Sequence, residues 1–123
     1  MDYDGAEAYI ISVLRRDLPA GYVFHDCNHT LDVINFARRI AAEDGVTGIE
    51  LILLQTAALF HDTGYLQCYA ANEAFGAAFA AEHLPRFGYA AADIATIKAL
   101  IMATAMPQRP ENRLQMILCD ADL

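Results

Sequence analysis

The stretch Ile49-Glu50-Leu51-Ile52-Leu53-Leu54-Gln55-Thr56-Ala57-Ala58-Leu59-Phe60-His61-Asp62-Thr63-Gly64 decides the fold. From Ile49 to Phe60 only Glu50, Gln55 and Thr56 are polar. A helix apolar on nearly every side is packed on nearly every side, so other helices must surround this one. The run stops at an imidazole beside a carboxylate, His61 and Asp62, and turns at Gly64. Such groups at the mouth of a buried helix are costly unless they are paired or coordinate something. A metal ion is the simplest partner, because imidazole nitrogen and carboxylate oxygen are both good ligands.

Working outward, the chain of 123 residues is expected to be one domain that can bury a real core, with 56% of its residues hydrophobic. Alanine is abundant, tryptophan absent, and apolar β-branched runs of period two are missing. These features predict an all-α fold. The formal net charge of −8 argues against a nucleic-acid surface, which needs clustered Lys and Arg. It leaves room for a phosphorylated substrate, since a bound cation supplies local positive charge. Cys27, Cys68 and Cys119 form no C-x-x-C pair, which suits a reducing, cytoplasmic setting, with Cys119 expected in the core. The acidic first residues do not resemble a signal peptide, and no apolar run approaches the roughly 18 residues of a membrane span.

About six helices are predicted. The first runs from Asp4 to Leu18 with Ala8, Ile11, Leu14 and Leu18 inward, and Pro19-Ala20-Gly21 breaks it. The second extends to Glu43 on a face of Val33, Ile34, Ala37, Ile40 and Ala41. His29 lies four residues before Val33, at the edge of that face. His25 stacks a turn above His29 if the helix starts early enough, and Asp26 or Asn28 is expected to cap it. Thr47 with Glu50 fits a capping box for the third helix, which delivers His61 and Asp62. Residues 66–72 read as a loop. A fourth helix opens at Ala71 or Asn72 and runs to Leu84, with Glu73 in its first turn and Phe75 and Phe79 expected in the core. His83 is read as structural or surface. The fifth spans Ala90 to Thr104 on Ile94, Ile97, Leu100 and Ile101. Pro110 is expected at the first position of the sixth, whose face is Leu114, Ile117, Leu118 and Ala121. Asp120 and Asp122 at its C-terminal end oppose the helix dipole, so something other than helix stability is expected to keep at least one of them.

The metal candidates are therefore His29, His61, Asp62 and one of Asp120 or Asp122. Three segments in this order resemble the HD-domain superfamily of metal-dependent phosphohydrolases. Phe24-His25-Asp26-Cys27-Asn28-His29-Thr30-Leu31-Asp32-Val33 is similar to a segment of HD-type cyclic-nucleotide phosphodiesterases and their bacterial relatives. Phe60-His61-Asp62-Thr63-Gly64 is the central doublet, and Ala121-Asp122-Leu123 resembles the closing A-D-L segment. The resemblance covers Tyr22 to Leu123 and implies a compact HD-domain bundle over residues 1–123. It also implies that similar proteins continue past the closing segment.

Carried over by position, the resemblance makes His29, His61, Asp62 and Asp122 metal ligands, with Asp122 preferred over Asp120. It gives His25 the place of the general acid and Glu73 that of an acidic group near the attacking water. Tyr65 and Leu66 stand where binuclear members place a further histidine, so one divalent ion per chain is expected. Two His and two Asp suit Fe, Mn, Co, Ni or Zn, and Mg less. The implied reaction is hydrolysis of a phosphomonoester or phosphodiester, with a nucleotide as the expected partner, no membrane partner, and a homodimer left open. A regulatory module that binds a nucleotide or metal with little catalysis, and a helical interaction domain with a vestigial site, are the alternatives. Metal content and a turnover screen separate the three.

Overall fold

Asp2, Asp26 and Asn112 each turn a side-chain oxygen onto the backbone N–H three residues on, at 2.9 Å, and each begins a helix. The computed structural model describes residues 1–18, 26–67 and 70–123. Among them lie α1 (Tyr3–Asp17), α2 (Cys27–Glu43), α3 (Gly48–Phe60), α4 (Asn72–His83), α5 (Ala91–Ala103) and α6 (Arg113–Asp122). Two short 3-10 turns, Thr63–Leu66 and Leu84–Phe87, follow α3 and α4. There is no strand among the described residues, and no described helix is long and apolar enough to cross a membrane.

Helix α3 is the axis. Every residue from Leu53 to Phe60 is buried, and the helix touches each of the other five. A fully buried Leu or Phe contributes roughly 1.5–3 kcal/mol, so Leu54, Leu59 and Phe60 alone fix α3 firmly in place. Its polar residues are satisfied. Arg38 Nε donates to Gln55 Oε1 at 2.7 Å. The Thr56 hydroxyl donates to the Ile52 carbonyl at 2.7 Å, which leaves it to accept from Tyr89, also at 2.7 Å. The predicted inward faces of α5 and, apart from half-buried Leu114, of α6 lie in the core, as does Cys119.

Several local expectations are corrected. In α1, Ala8 is exposed, while Ala6, Ile10 and Val13 point inward with Ile11 and Leu14. Thr47 precedes α3 with the extended backbone of a cap but its hydroxyl caps nothing, because Gly48 enters the helix at φ +63° rather than in the right-handed conformation that a capped first turn takes. Pro110 is not the first residue of α6. Asn112 is the stronger cap and starts the helix at Arg113, while Gln115 Oε1 accepts from the Glu111 N–H at 2.8 Å. Phe75 is 45% exposed rather than in the core. The small residues Gly76, Ala77 and Ala80 take the inward face of α4, and the aromatics fall to its flanks. Phe79 packs part-buried against Phe60 and against His83, at ring-centroid distances of 6.2 and 4.3 Å. His83 also bonds the Arg86 guanidinium at 3.0 Å, in keeping with a structural role.

Helix α4 lies close over the end of α3. A side chain at Gly76 would come within 3.1 Å of the Phe60 carbonyl oxygen. One at Gly64 would overlap the backbone of Asn72, where α4 begins. The approach requires Gly64 and leaves little room at Gly76, and it holds the turn carrying His61 and Asp62 against α4. Part of the segment read as a loop is in fact helical, since the 3-10 turn continues through Leu66.

Candidate metal centre

Three helix ends meet at one point. His61 and Asp62 stand at the C-terminal end of α3, both buried. His29 occupies the first turn of α2, where its own N–H is held by the Asp26 cap. Asp122 is the last residue of α6. The cap on α2 and the buried end of α3 therefore set the positions of both imidazoles. His29 Nε2 lies 3.3 Å from Asp122 Oδ1 and 3.4 Å from Asp62 Oδ2. His61 Nε2 lies 3.1 Å from Asp122 Oδ1 and 3.4 Å from Asp62 Oδ2. Ligating atoms of His29, His61 and Asp122 all fall within 4.8 Å of one another.

The spacings of His29, His61 and Asp122 suit a shared cation, and Asp62 stands beside both imidazoles but outside that three-residue group. Ligand atoms about 2.1 Å from one ion stand about 3.0 Å apart on an octahedral edge and about 3.4 Å apart on a tetrahedral edge. The hydrogen bonding agrees. His61 Nδ1 donates to the Ala58 carbonyl at 2.6 Å, which fixes the ring and leaves Nε2 as the inward-facing atom. Although Nε2 is 3.1 Å from Asp122, it is misaligned for a hydrogen bond, so it is buried with no hydrogen-bond partner. Such an atom is costly unless an ion or proton takes its lone pair.

The electrostatics lead to the same conclusion. Burial disfavours a charged His61, yet the Asp62 and Asp122 carboxylates, helped by the Ala58 carbonyl, push its pKa up to about 9. Burial likewise opposes charge on Asp122, but His29 and His61 outweigh it and hold that carboxyl well below the usual carboxylate range. Two carboxylates thus draw positive charge to this point, whether a proton on His61 or a divalent ion. The donor set fits a divalent metal.

The remaining sequence candidates divide. Asp120 is exposed on the outer side of α6 and takes no part. Glu73, in the first turn of α4, lines the same cavity of about 460 Å³ as His29, Asp62 and Asp122. His25 lies outside the described residues, and the described part of α2 begins at Cys27 behind its Asp26 cap. Sequence reasoning missed the neutral wall of the cavity, formed by Tyr65, Thr104 and Gln108. Tyr65 had a signal, since it sits three residues after Asp62 on the tight turn. Thr104 and Gln108 come from the connection after α5 and carry no pattern. The Ala58 carbonyl was equally invisible, being backbone.

A family model described as HD domain matches residues 27–123. A crystal structure of a predicted HD superfamily hydrolase from an uncultured Thermotogales bacterium resembles this one with a TM-score of 0.77 and 25% sequence identity. The likeness covers 94% of this chain and 65% of the length of that one. Comparison with curated proteins gives no match.

Proposed function

The chain belongs to the HD-domain family, and from that premise we propose that it is a metal-dependent phosphohydrolase acting on a phosphomonoester or phosphodiester, with a nucleotide as substrate. One observation carries this reading. Each of two imidazole nitrogens lies 3.1–3.4 Å from each of two carboxylates at the meeting of three helix ends, and one of those nitrogens is buried without a hydrogen-bond partner.

His29, His61 and Asp122 would hold the ion, with Asp62, beside both imidazoles, as the fourth ligand that the motif implies. When bound, a divalent ion supplies Lewis-acid polarisation of a phosphoryl oxygen and acidifies water. The residues of the chain do the rest. The Ala58 carbonyl keeps His61 in the tautomer that offers Nε2. Asp62 accepts a proton from the attacking water and orients it. His25, four residues ahead of His29, is assigned the proton for the leaving oxygen on the strength of its place in the motif. Glu73, at the wall of the same cavity, is placed to accept hydrogen bonds from water or substrate.

The test begins with metal analysis of protein purified without chelator or nickel resin. It is followed by turnover on generic phosphodiesters, nucleotides and cyclic nucleotides. His61→Ala and Asp62→Ala are each expected to lose the bound metal and to lower kcat/KM by at least about a thousandfold. Turnover that survives both changes would overturn the assignment.

A further inference from the structure

Resting on the hydrolase reading above, we infer that the cavity takes substrates with a single phosphoryl group on an uncharged, hydroxyl-bearing remainder. Glu73 is the residue that turns away further negative charge.

Three carboxylates, Asp62, Asp122 and Glu73, line the cavity together with His29. Imidazole binds metal as a neutral ligand, so among the described residues one divalent ion offsets only two of those three negative charges, and the single proton assigned to His25 leaves with the departing oxygen. Sites for polyphosphates add Lys or Arg to clamp the extra oxygens. Here none of the chain's eight Lys and Arg is among the described residues of the cavity wall, and Arg39 lines a neighbouring cavity that shares Leu123 with it, beside Glu43 and Asp120. Arg38 is bonded to Gln55, and Arg86 stacks on Tyr9. Arg109 and Arg113 line two other cavities, beside Glu111 and Glu50 respectively. Among the described residues no Lys or Arg lines the metal-centre cavity, and residues 19–25 and 68–69 contain neither type.

Among the described residues, what remains of the wall is neutral. Tyr65, Thr104 and Gln108 offer hydrogen bonds, and Met106 and Leu123 offer apolar surface at the rim. A volume of about 460 Å³ falls within the range of sites for ligands the size of a nucleoside monophosphate. A carboxylate such as Glu73 only accepts hydrogen bonds, so it favours hydroxyl or amino groups on the substrate and repels a second phosphate.

Phosphate, pyrophosphate and tripolyphosphate form a ladder of charge with one chemistry. Each is titrated calorimetrically into the Mn²⁺-loaded protein at fixed free Mn²⁺. Affinity is expected to fall about tenfold with each added phosphate. Glu73→Gln is expected to recover about tenfold for tripolyphosphate while moving phosphate less. Tripolyphosphate binding as tightly as phosphate, or a ladder unchanged by Glu73→Gln, would overturn the inference. A separate turnover assay keeps the two readings apart. A ladder in the expected order with no phosphoester cleaved removes the hydrolase and leaves charge selection standing in a binding module. Cleavage together with a reversed ladder does the opposite.

Discussion

The two sides of the metal centre are built differently. On one side, His61 and Asp62 end a helix that is buried throughout its last two turns, and His61 is 1% exposed with its ring pinned to the Ala58 carbonyl. On the other, Asp122 ends a ten-residue helix beside Leu123, which is 90% exposed. Asp122 is held chiefly by the imidazoles it faces, and its charge runs against the α6 dipole. One wall is thus set by packing and is present before any ligand arrives. The other is set by charge and depends on what the centre contains. Substitutions on the first should damage the fold and the site together, and substitutions on the second the site alone.

The sharpest way to break the packed side leaves every candidate ligand in place. Gly64→Ala puts a methyl group into the Asn72 backbone, so either the turn after Asp62 or the start of α4 must move. Overpacking against backbone that cannot rotate away is expected to cost about 3 kcal/mol or more. In a domain of this size that is a fall in Tm of at least about 10 °C, read by thermal unfolding. Metal affinity should drop with it, because the doublet rides on the displaced turn. A Gly64→Ala protein with unchanged Tm and metal content would show that the turn is not tightly held.

The same contrast explains what the sequence could reveal. Helix α3 was legible because continuous burial writes a continuous apolar run. The four residues that converge were nameable because three short motifs stand in a fixed order, and not because spacing alone brings His29 to Asp122 across ninety-three residues. Periodicity left Asp120 and Asp122 level, the closing-segment resemblance favoured Asp122, and the packing of α6 leaves Asp120 exposed and brings Asp122 to the centre. Features set by close approach could not be read. The inward face of α4 is written in Gly and Ala, which have no hydrophobic signature, so Phe75 was mistaken for core. The neutral cavity wall is assembled from Tyr65, Thr104 and Gln108 on separate segments, and nothing local marks them as neighbours.

On the charge-held side, Asp122→Asn removes a carboxylate while keeping the shape of the side chain. Metal affinity is expected to fall about 100-fold, with Tm of the metal-free protein changing far less than in Gly64→Ala. Asp120→Asn, two residues away and exposed, is the internal control and should leave affinity within about twofold. Isothermal titration with Mn²⁺ or Zn²⁺ reads both. If Asp120→Asn weakens binding as much as Asp122→Asn, the acid at the centre has been misassigned.

The mildest perturbation is pH, and it acts on both walls through one proton. In the metal-free protein His61 has a pKa of about 9, above the value near 6.5 for an unfolded histidine. A raised pKa contributes stability that is fully present below about 6.5 and is lost as pH climbs through 9. Asp122 behaves in the opposite sense, because its pKa is depressed. Its contribution is present above about 3.9 and is lost only as pH falls through its lowered value. Metal-free protein should therefore be most stable between about pH 4 and 6.5, then lose about 1 kcal/mol per pH unit toward 9. A divalent ion competes with the His61 proton, so its affinity should rise by up to tenfold per unit over the same interval. Thermal unfolding at pH 6.5, 7.5 and 8.5, with and without metal, should give two diverging curves. Parallel curves would mean that metal and proton do not share His61 Nε2, and the charge-held wall would then need a different occupant.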